Sequence, residues 1–166
     1  MHRFLVAFLI LLTTSAAWAQ GQPTQGGRNR GPGPCFTAKE AEAEAQVRTG
    51  IHLREILRRC VQIDPAGQGA LDDWYAFDQE NGDRLRAAVE LRGKALARIY
   101  PNRAQALQWE TDSAVSAMKS VQVNEAVCKS TYDVIERIKK EKWQGFQYYA
   151  KLQQNVLNAD LPRCKP

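Results

Sequence analysis

The sequence contains few of the residues and motifs on which common enzyme chemistry depends. It has two histidines in 166 residues, and His2 lies in a segment that we expect to be removed. The other, His52, aligns at helical spacing with Arg48, Glu55 and Arg59, which is typical of a solvated helix face. No G-x-S-x-G, HExxH or C-x-x-C motif and no glycine-rich phosphate loop occurs. We therefore expect a protein that is not an enzyme, with no catalytic residue and no cofactor.

Cysteine is also scarce, and the four cysteines are widely spaced. The two closest in sequence, Cys35 and Cys60, are separated by most of a predicted helix. Zinc sites usually include at least one close pair of cysteine or histidine ligands, so this spacing argues against a metal. An even number of cysteines in an exported chain is typical of disulfides. We expect two disulfides and no metal site.

Long apolar runs are confined to the start of the chain. Residues 4–12 are almost entirely apolar, His2 and Arg3 precede them, and Ala-Trp-Ala follows at 17–19. This arrangement is typical of a signal peptide cleaved after Ala19. The run is too short to span a bilayer, which takes about 20 residues, and no later stretch is longer. We therefore expect a periplasmic or secreted protein with no transmembrane segment in the mature chain.

Three segments are predicted along the chain. Residues 1–19 form the signal peptide. Residues 20–34 form a flexible tail, because a stretch of Gly, Pro and Gln cannot offset the entropy cost of ordering. Residues 35–166 form a single helical domain of a length that can enclose one core. The net charge of +5 allows an anionic partner without requiring one.

Apolar residues recur at helical spacing throughout the domain. Thr37 and Glu40 have the spacing of a capping box, which starts the first helix, and Asn124 is a suitable cap for the last. Gly82 is expected to lie inside the second helix without breaking it. We predict an all-α fold, an up-and-down bundle of about four helices. Because residues 102–144 contain neither Gly nor Pro, the third and fourth helices could also be continuous. The predicted helices span about 37–62, 71–99, 102–121 and 124–156.

The same pattern assigns positions to the core or to solvent. Residues 38–46 are strong helix formers with few apolar side chains, so this end of the first helix is expected to be solvated. Predicted core positions in the later helices include Val89, Leu107, Leu152 and Val156.

Helix length predicts which cysteines pair. The first helix would separate Cys35 from Cys60 by about 37 Å at 1.5 Å per residue, whereas a disulfide requires Cα atoms within about 7 Å. The fourth helix separates Cys128 from Cys164 in the same way. In an up-and-down bundle, Cys60 meets the start of the fourth helix at one end. We therefore expect the disulfides Cys35–Cys164 and Cys60–Cys128.

Four charged residues fall on otherwise apolar helix faces: Asp78, Arg92, Glu110 and Lys142. Buried charges are costly unless they are paired. Two interpretations remain open. The four side chains form internal ion pairs or reach the surface, or they line a pocket between the helices that binds a small charged ligand.

The densest basic stretch lies in the last predicted helix, where aromatic residues are interspersed. We predict that it forms a partner-binding surface of a non-enzymatic exported binding or accessory protein, and a carrier of a small charged ligand is the alternative. The expected partner is an envelope protein or an anionic component of the bacterial cell envelope. Glu136 and Glu141 interrupt the basic run, and export argues against nucleic acid, so no nucleic-acid partner is expected. The oligomeric state stays open. The predicted partner-binding residues are Arg137, Lys139, Lys140, Trp143, Tyr148 and Lys151.

Overall fold

Every regular element in the described part of the chain is a helix. The structure is a computed structural model, and it describes residues 33–110 and 121–165. The predicted signal peptide lies outside these ranges, and so does the predicted tail apart from Gly33 and Pro34. The helices are α1 (Ala38–Ile63), α2 (Gln68–Glu80), α3 (Gly82–Ile99), α4 (described from 103 to 110), α5 (Glu125–Glu141) and α6 (Trp143–Leu157), with a short 3-10 helix at Pro65–Gly67.

The start of α1 is held by the capping box that the sequence predicts. The Thr37 hydroxyl accepts a hydrogen bond from the Glu40 backbone N–H, and the Glu40 carboxylate accepts one from the Thr37 backbone N–H. Arg98, near the end of α3, donates to both carboxylate oxygens of Glu40 at 2.8 and 2.7 Å and to the carbonyl oxygen of Cys35. This cap therefore also attaches the start of α1 to the end of α3.

Three clusters of buried apolar side chains join the helices. One packs the start of α1 and the end of α3 against the C-terminal segment, with Phe36 and Leu161 at its centre. Another surrounds Cys60 and Cys128. The largest connects α1 and α2 with α5 and α6 and consists of Leu53, Leu57, Leu71, Trp74, Phe77, Ile135, Ile138 and Phe146.

Both predicted disulfides are present. Cys35 is bonded to Cys164 with a Cα–Cα distance of 5.0 Å, and Cys60 to Cys128 with 5.5 Å. Each closes a long loop, and such a crosslink typically contributes about 2–4 kcal/mol by restricting the unfolded chain. The two crosslinks lie at opposite ends of α1, so both ends of this central helix are covalently attached to the later part of the chain.

The predicted second helix is two helices, so the sequence-based interpretation of Gly82 was wrong. α2 ends at Glu80, and Asn81 leaves helical geometry with φ −106° and ψ 16°. The Asn81 side chain donates to the Phe77 carbonyl oxygen at 3.0 Å. An asparagine side chain that competes for backbone groups, followed by glycine, favours a helix end.

The predicted fourth helix is also divided, at Lys142. This residue has φ 56° and ψ −137°, a backbone conformation that residues other than glycine rarely adopt. Gly145 allows the close approach that follows, because a Cβ there would lie 3.0 Å from the Glu141 Cβ and 3.1 Å from the Arg137 carbonyl oxygen. Residues 121–124 are not helical and the Asn124 side chain caps α5, so α4 and α5 are separate helices.

The start of α1 is buried, contrary to the expectation for residues 38–46. Ala41, Ala43, Glu44 and Ala45 are each at most 4 % exposed. α3 and α6 both pack against α1 and cover the small side chains of this segment. Alanines contribute little to a hydrophobic pattern, yet their small size allows two helices to approach closely, which the pattern does not register.

Several predicted core positions are exposed instead. Val89, Leu107, Leu152 and Val156 have exposed fractions between 52 % and 73 %. In α6 the reason is the break at Lys142, which changes the direction in which the following residues face. Ala150 and Leu157 of α6 are buried in place of the predicted pair.

Candidate binding sites

A buried network of charged side chains ties four parts of the chain together. The Glu44 side chain is fully buried, and its two oxygens accept from Arg48 Nε at 2.6 Å and from Arg92 Nε at 2.5 Å. Arg92 also donates to Glu110 of α4 at 2.8 Å, and Arg48 donates to Asp160 at 2.7 Å. The Arg48 guanidinium also donates a hydrogen bond to the backbone carbonyl oxygen of Leu157.

The burial of Arg48 corrects the predicted solvated face of α1. Arg48 is 5 % exposed and lies over the Trp109 ring at 5.0 Å. Glu55 and Arg59 of the same row form an ion pair at 3.1 Å, and His52 is half-buried. Hydrogen bonds to Asp160 and Glu44 raise the pKa of Arg48 despite its burial, so the guanidinium stays charged.

The four polar residues predicted to share a pocket do not all come together. Arg92 and Glu110 are partners in the buried network. Lys142 is on the surface and lies 3.5 Å from Glu80, with both side chains about 60 % exposed. Asp78 is half-buried and belongs to neither group. The ion-pair interpretation therefore describes Arg92 and Glu110, and the surface interpretation describes Lys142.

Asp78 and Arg92 nevertheless line one cleft, which lies between α1, α2 and α3 and has a volume of ≈ 300 Å³. Trp74 and Arg54 line it as well. The Trp74 side chain is 2 % exposed, and its indole N–H has no acceptor within residues 33–110 and 121–165. A buried donor of this kind is unusual in a native structure and can be satisfied by a ligand or a water.

The predicted partner-binding residues also separate into groups. Lys139 donates to Asp73 of α2 at 2.8 Å, a bond that raises the pKa of Lys139. Trp143 packs against Phe77 with a ring-centroid distance of 6.3 Å and is stacked on by Arg84 at 5.3 Å. These two predicted residues therefore have partners within the fold and offer little to a second molecule.

The other four predicted residues are exposed, although Arg137 also has partners within the fold. The Arg137 guanidinium lies 4.3 Å from the centroid of the Tyr148 ring and also bonds Glu141 at 3.0 Å. Lys140 and Lys151 are exposed, and neither has an acidic partner within the described residues. Arg137 and Tyr148 form one contact pair, and Lys151 follows Tyr148 by one turn of α6.

The sequence interpretation missed an apolar stripe on the outside of α6. Tyr148, Leu152 and Val156 are 47 %, 56 % and 73 % exposed, and their spacing of four residues places them along one face of the helix. We call these three residues the α6 stripe. The sequence does contain a second helical series, Phe146, Ala150 and Leu157, and these are the α6 residues that are buried. This series is hard to recognise when residues 124–156 are treated as one unbroken helix.

A second feature lies beside α6, where it meets the start of α1 and the C-terminal segment. This groove, which we call the N-terminal groove, has a volume of ≈ 390 Å³. Its polar residues include Lys151 and Arg163, whereas Phe36, Ala41, Ala45 and Ala150 in its lining are buried. It is lined by Phe36, Thr37, Ala38, Ala41, Glu42, Ala45, Ala150, Lys151, Gln154, Arg163 and Cys164.

Comparison with known proteins identifies no relative from which a function could be inferred. The chain matches no protein-family model, no curated protein and no solved structure. None of the helices that the structure describes has the length and apolar character required to cross a bilayer. Within residues 33–110 and 121–165, no three acidic, histidine or cysteine side chains converge as metal ligands.

Proposed function

We propose that this chain is an exported, non-enzymatic binding or accessory protein of the bacterial cell envelope, and that a helix of a partner protein docks on its α6 stripe. The observation that carries this proposal is the exposure of Tyr148, Leu152 and Val156 along one helix face. Exposed apolar residues scattered singly are ordinary, whereas a contiguous exposed patch is typical of an interaction site.

The spacing of the α6 stripe favours a helical partner. Side chains four residues apart form the ridge that packs into the groove of a second helix in the commonest class of helix packing. Tyr148 adds an aromatic ring to one end of the ridge, and tyrosine is enriched at protein interfaces because its ring is apolar while its hydroxyl can bond to water.

Charge beside the α6 stripe favours an acidic partner. Lys151 lies next to the stripe and forms no ion pair in the described part of the chain, and Arg137 stacks on the Tyr148 ring. Such peripheral charges accelerate association and select the partner more than they raise affinity. Binding should therefore weaken as the salt concentration rises, because exposed charges are screened.

Two features support export. The disulfides Cys35–Cys164 and Cys60–Cys128 would persist in an oxidising compartment such as the periplasm, whereas cytosolic thiols are normally kept reduced. The pattern of residues 1–19 is that of a signal peptide. Together they support an exported chain, whose partner we expect in the envelope or outside the cell.

Photo-crosslinking in intact cells tests the proposal. A photoreactive residue at position 152 should yield an adduct with another protein, whereas the same residue at 89 should not, because Val89 is equally exposed but lies outside the α6 stripe. The identified partner, purified, should bind the unmodified chain and lose affinity at least tenfold with Leu152→Glu. Equal crosslinking at both positions, or unchanged binding by Leu152→Glu, would contradict the proposal. A crosslink between two copies of this chain would mean that the α6 stripe packs against a second copy rather than against a helix of another protein.

The second candidate function is that of a carrier for a small charged ligand, and it rests on the cleft between α1, α2 and α3. Asp78, Arg92 and Trp74 line this cleft, and the buried Trp74 indole N–H has no acceptor among the residues that the structure describes. Native mass spectrometry of the protein purified without reductant tests this function. A bound adduct that is lost in Asp78→Ala supports a carrier, and a bare chain under these conditions argues against one.

A further inference from the structure

We infer that the cleft between α1, α2 and α3 binds a small zwitterion with an apolar side chain, either a free amino acid or a short peptide. The carboxylate of this ligand meets Arg54 and its ammonium group meets Asp78, two residues that line the cleft. The inference rests on the second candidate function, that of a carrier, and names the class of its ligand. The cleft measures ≈ 300 Å³, which is the lower end of the usual range of about 300–1,000 Å³ for ligand pockets.

Two charges of opposite sign at the cleft have no ion-pair partner within residues 33–110 and 121–165. Arg54 is exposed and Asp78 is half-buried, and neither is paired with the other or with any further described residue. The third charged residue of the lining, Arg92, is bound to Glu44 at 2.5 Å and to Glu110 at 2.8 Å. A guanidinium can bind a carboxylate through two parallel hydrogen bonds. A zwitterion therefore satisfies both Arg54 and Asp78, whereas a ligand with a single charge leaves one of them unpaired.

The apolar part of the lining is accessible to a ligand. Val47 and Ile51 of α1 and Leu85 of α3 are half-buried, and Val89 of α3 is 52 % exposed. Each of these side chains keeps surface that a bound molecule can cover. An aliphatic side chain in the cleft removes apolar surface from water on both molecules, which is favourable. These four residues therefore select an amino acid with an apolar side chain over glycine.

Gly50 opens the cleft in the middle of α1. Glycine lowers the stability of a helix interior relative to alanine, and neither common structural reason for a glycine applies here. No described glycine has a positive φ, and a Cβ at position 50 would make only ordinary contact with the Trp74 ring, at 3.8 Å. Because Gly50 lines the cleft, a side chain at this position would take up part of the volume that the ligand uses.

Calorimetric titration of the disulfide-bonded chain at neutral pH with leucine and with leucyl-leucine tests the inference. Both probes are apolar zwitterions, so binding of either supports the site, and the tighter one identifies an amino acid or a peptide as the ligand. Isocaproate lacks the ammonium group of leucine, isoamylamine lacks its carboxylate, and glycine lacks its apolar group. Each of these three should bind at least tenfold more weakly. Absence of binding by both apolar zwitterions, or equal binding of one of the three analogues, would overturn the inference.

Variants locate the ligand. Arg54→Gln and Asp78→Asn should each weaken binding of the tighter zwitterion about tenfold, because each removes one of the two charges, and Gly50→Leu should do the same by filling the cleft. Arg58→Gln and Asp72→Asn are matched controls on the same two helices, exposed and outside the lining, and should leave binding unchanged. Undiminished binding in Arg54→Gln and Asp78→Asn, with circular dichroism confirming that both fold, would refute the site.

The titrations also separate a wrong ligand class from a wrong function. If native mass spectrometry shows an adduct that Asp78→Ala loses, but neither apolar zwitterion binds, the carrier function stands and the zwitterion is wrong. If no adduct is found and no probe binds, both the carrier function and its ligand class are wrong.

Discussion

Removal of the charge on the buried Glu44 should destabilise the fold more than the same change at an exposed glutamate of α1. Glu44→Gln keeps the shape of the side chain but places an amide N–H₂ against one of two guanidiniums, Arg48 or Arg92, which Glu44 contacts at 2.6 and 2.5 Å. Both guanidiniums are nearly buried, at 5 % and 11 % exposure. Removing one partner of a buried ion pair costs about 3–5 kcal/mol, because the remaining charge stays desolvated.

Asp160 and Glu110 reduce this cost without cancelling it, because each arginine keeps one carboxylate partner. We therefore expect a loss near the lower limit, about 3 kcal/mol, which is a large fraction of the total stability of about 5–15 kcal/mol that a domain has. Urea unfolding followed by circular dichroism, with disulfides intact, measures the change. Glu42→Gln is the matched control, two residues earlier and exposed, and should stay within about 0.5 kcal/mol.

The outcome that would refute this reasoning is a Glu44→Gln variant as stable as Glu42→Gln. A double-mutant cycle with Arg92→Leu gives a sharper criterion. If the Glu44–Arg92 contact is coupled as the geometry indicates, Glu44→Gln should cost less when Arg92 is already absent. Additive effects would mean that the two side chains contribute independently.

Three further substitutions test individual features of the fold. Gly67→Ala should destabilise by about 1–3 kcal/mol, as overpacking does, because a Cβ at 67 would overlap the Tyr132 hydroxyl; thermal unfolding measures this. Hydrogen bonds from Arg98 and Thr37 lower the pKa of Glu40 to about 2, so its carboxylate stabilises the fold above about pH 4.5 and loses this effect as the pH falls towards 2. The free energy of unfolding measured in urea should therefore differ less between the unmodified protein and Glu40→Gln as the pH falls over that interval. Lys142→Gly should stabilise the fold by about 1 kcal/mol, because it relieves a positive φ of 56°. The control Lys140→Gly, inside α5, should destabilise it by about 1 kcal/mol. If urea unfolding shows that both variants change the free energy of unfolding in the same direction, the reasoning about Lys142 is wrong.

The features that could be predicted from the sequence depend on local chemistry or on chain length. The Thr37–Glu40 capping box requires only residues of one helical turn. The pairing of Cys35 with Cys164 follows from two steps: a helix of known rise keeps Cys35 from Cys60 and Cys128 from Cys164, and an up-and-down arrangement brings Cys60 to the start of the last helix. These inferences need the lengths and directions of the helices but not the contacts between their side chains.

The features that could not be predicted depend on partners that are distant in sequence. Arg48 looks like a surface residue until Asp160 and Glu44 are seen to surround it, because burial of a charge is decided by the groups that meet it. Leu152 and Val156 of the α6 stripe were assigned to the core for a related reason. A hydrophobic pattern gives the face of a helix only while the helix is continuous, and nothing in the residues around Lys142 marks the break.

The break at Lys142 connects the fold to the proposed docking surface on α6. It lies beside the break at Asn81, since Lys142 reaches Glu80 at 3.5 Å and Trp143 stacks on Phe77. Beyond the break, Ala150 and Leu157 turn towards α1 and the α6 stripe turns outwards. A continuous helix would place Leu152 and Val156 where the sequence pattern puts them, in the core. The same interruption therefore exposes the apolar residues proposed to meet a partner, so that the α6 stripe would not exist in the four-helix bundle that the pattern alone predicts.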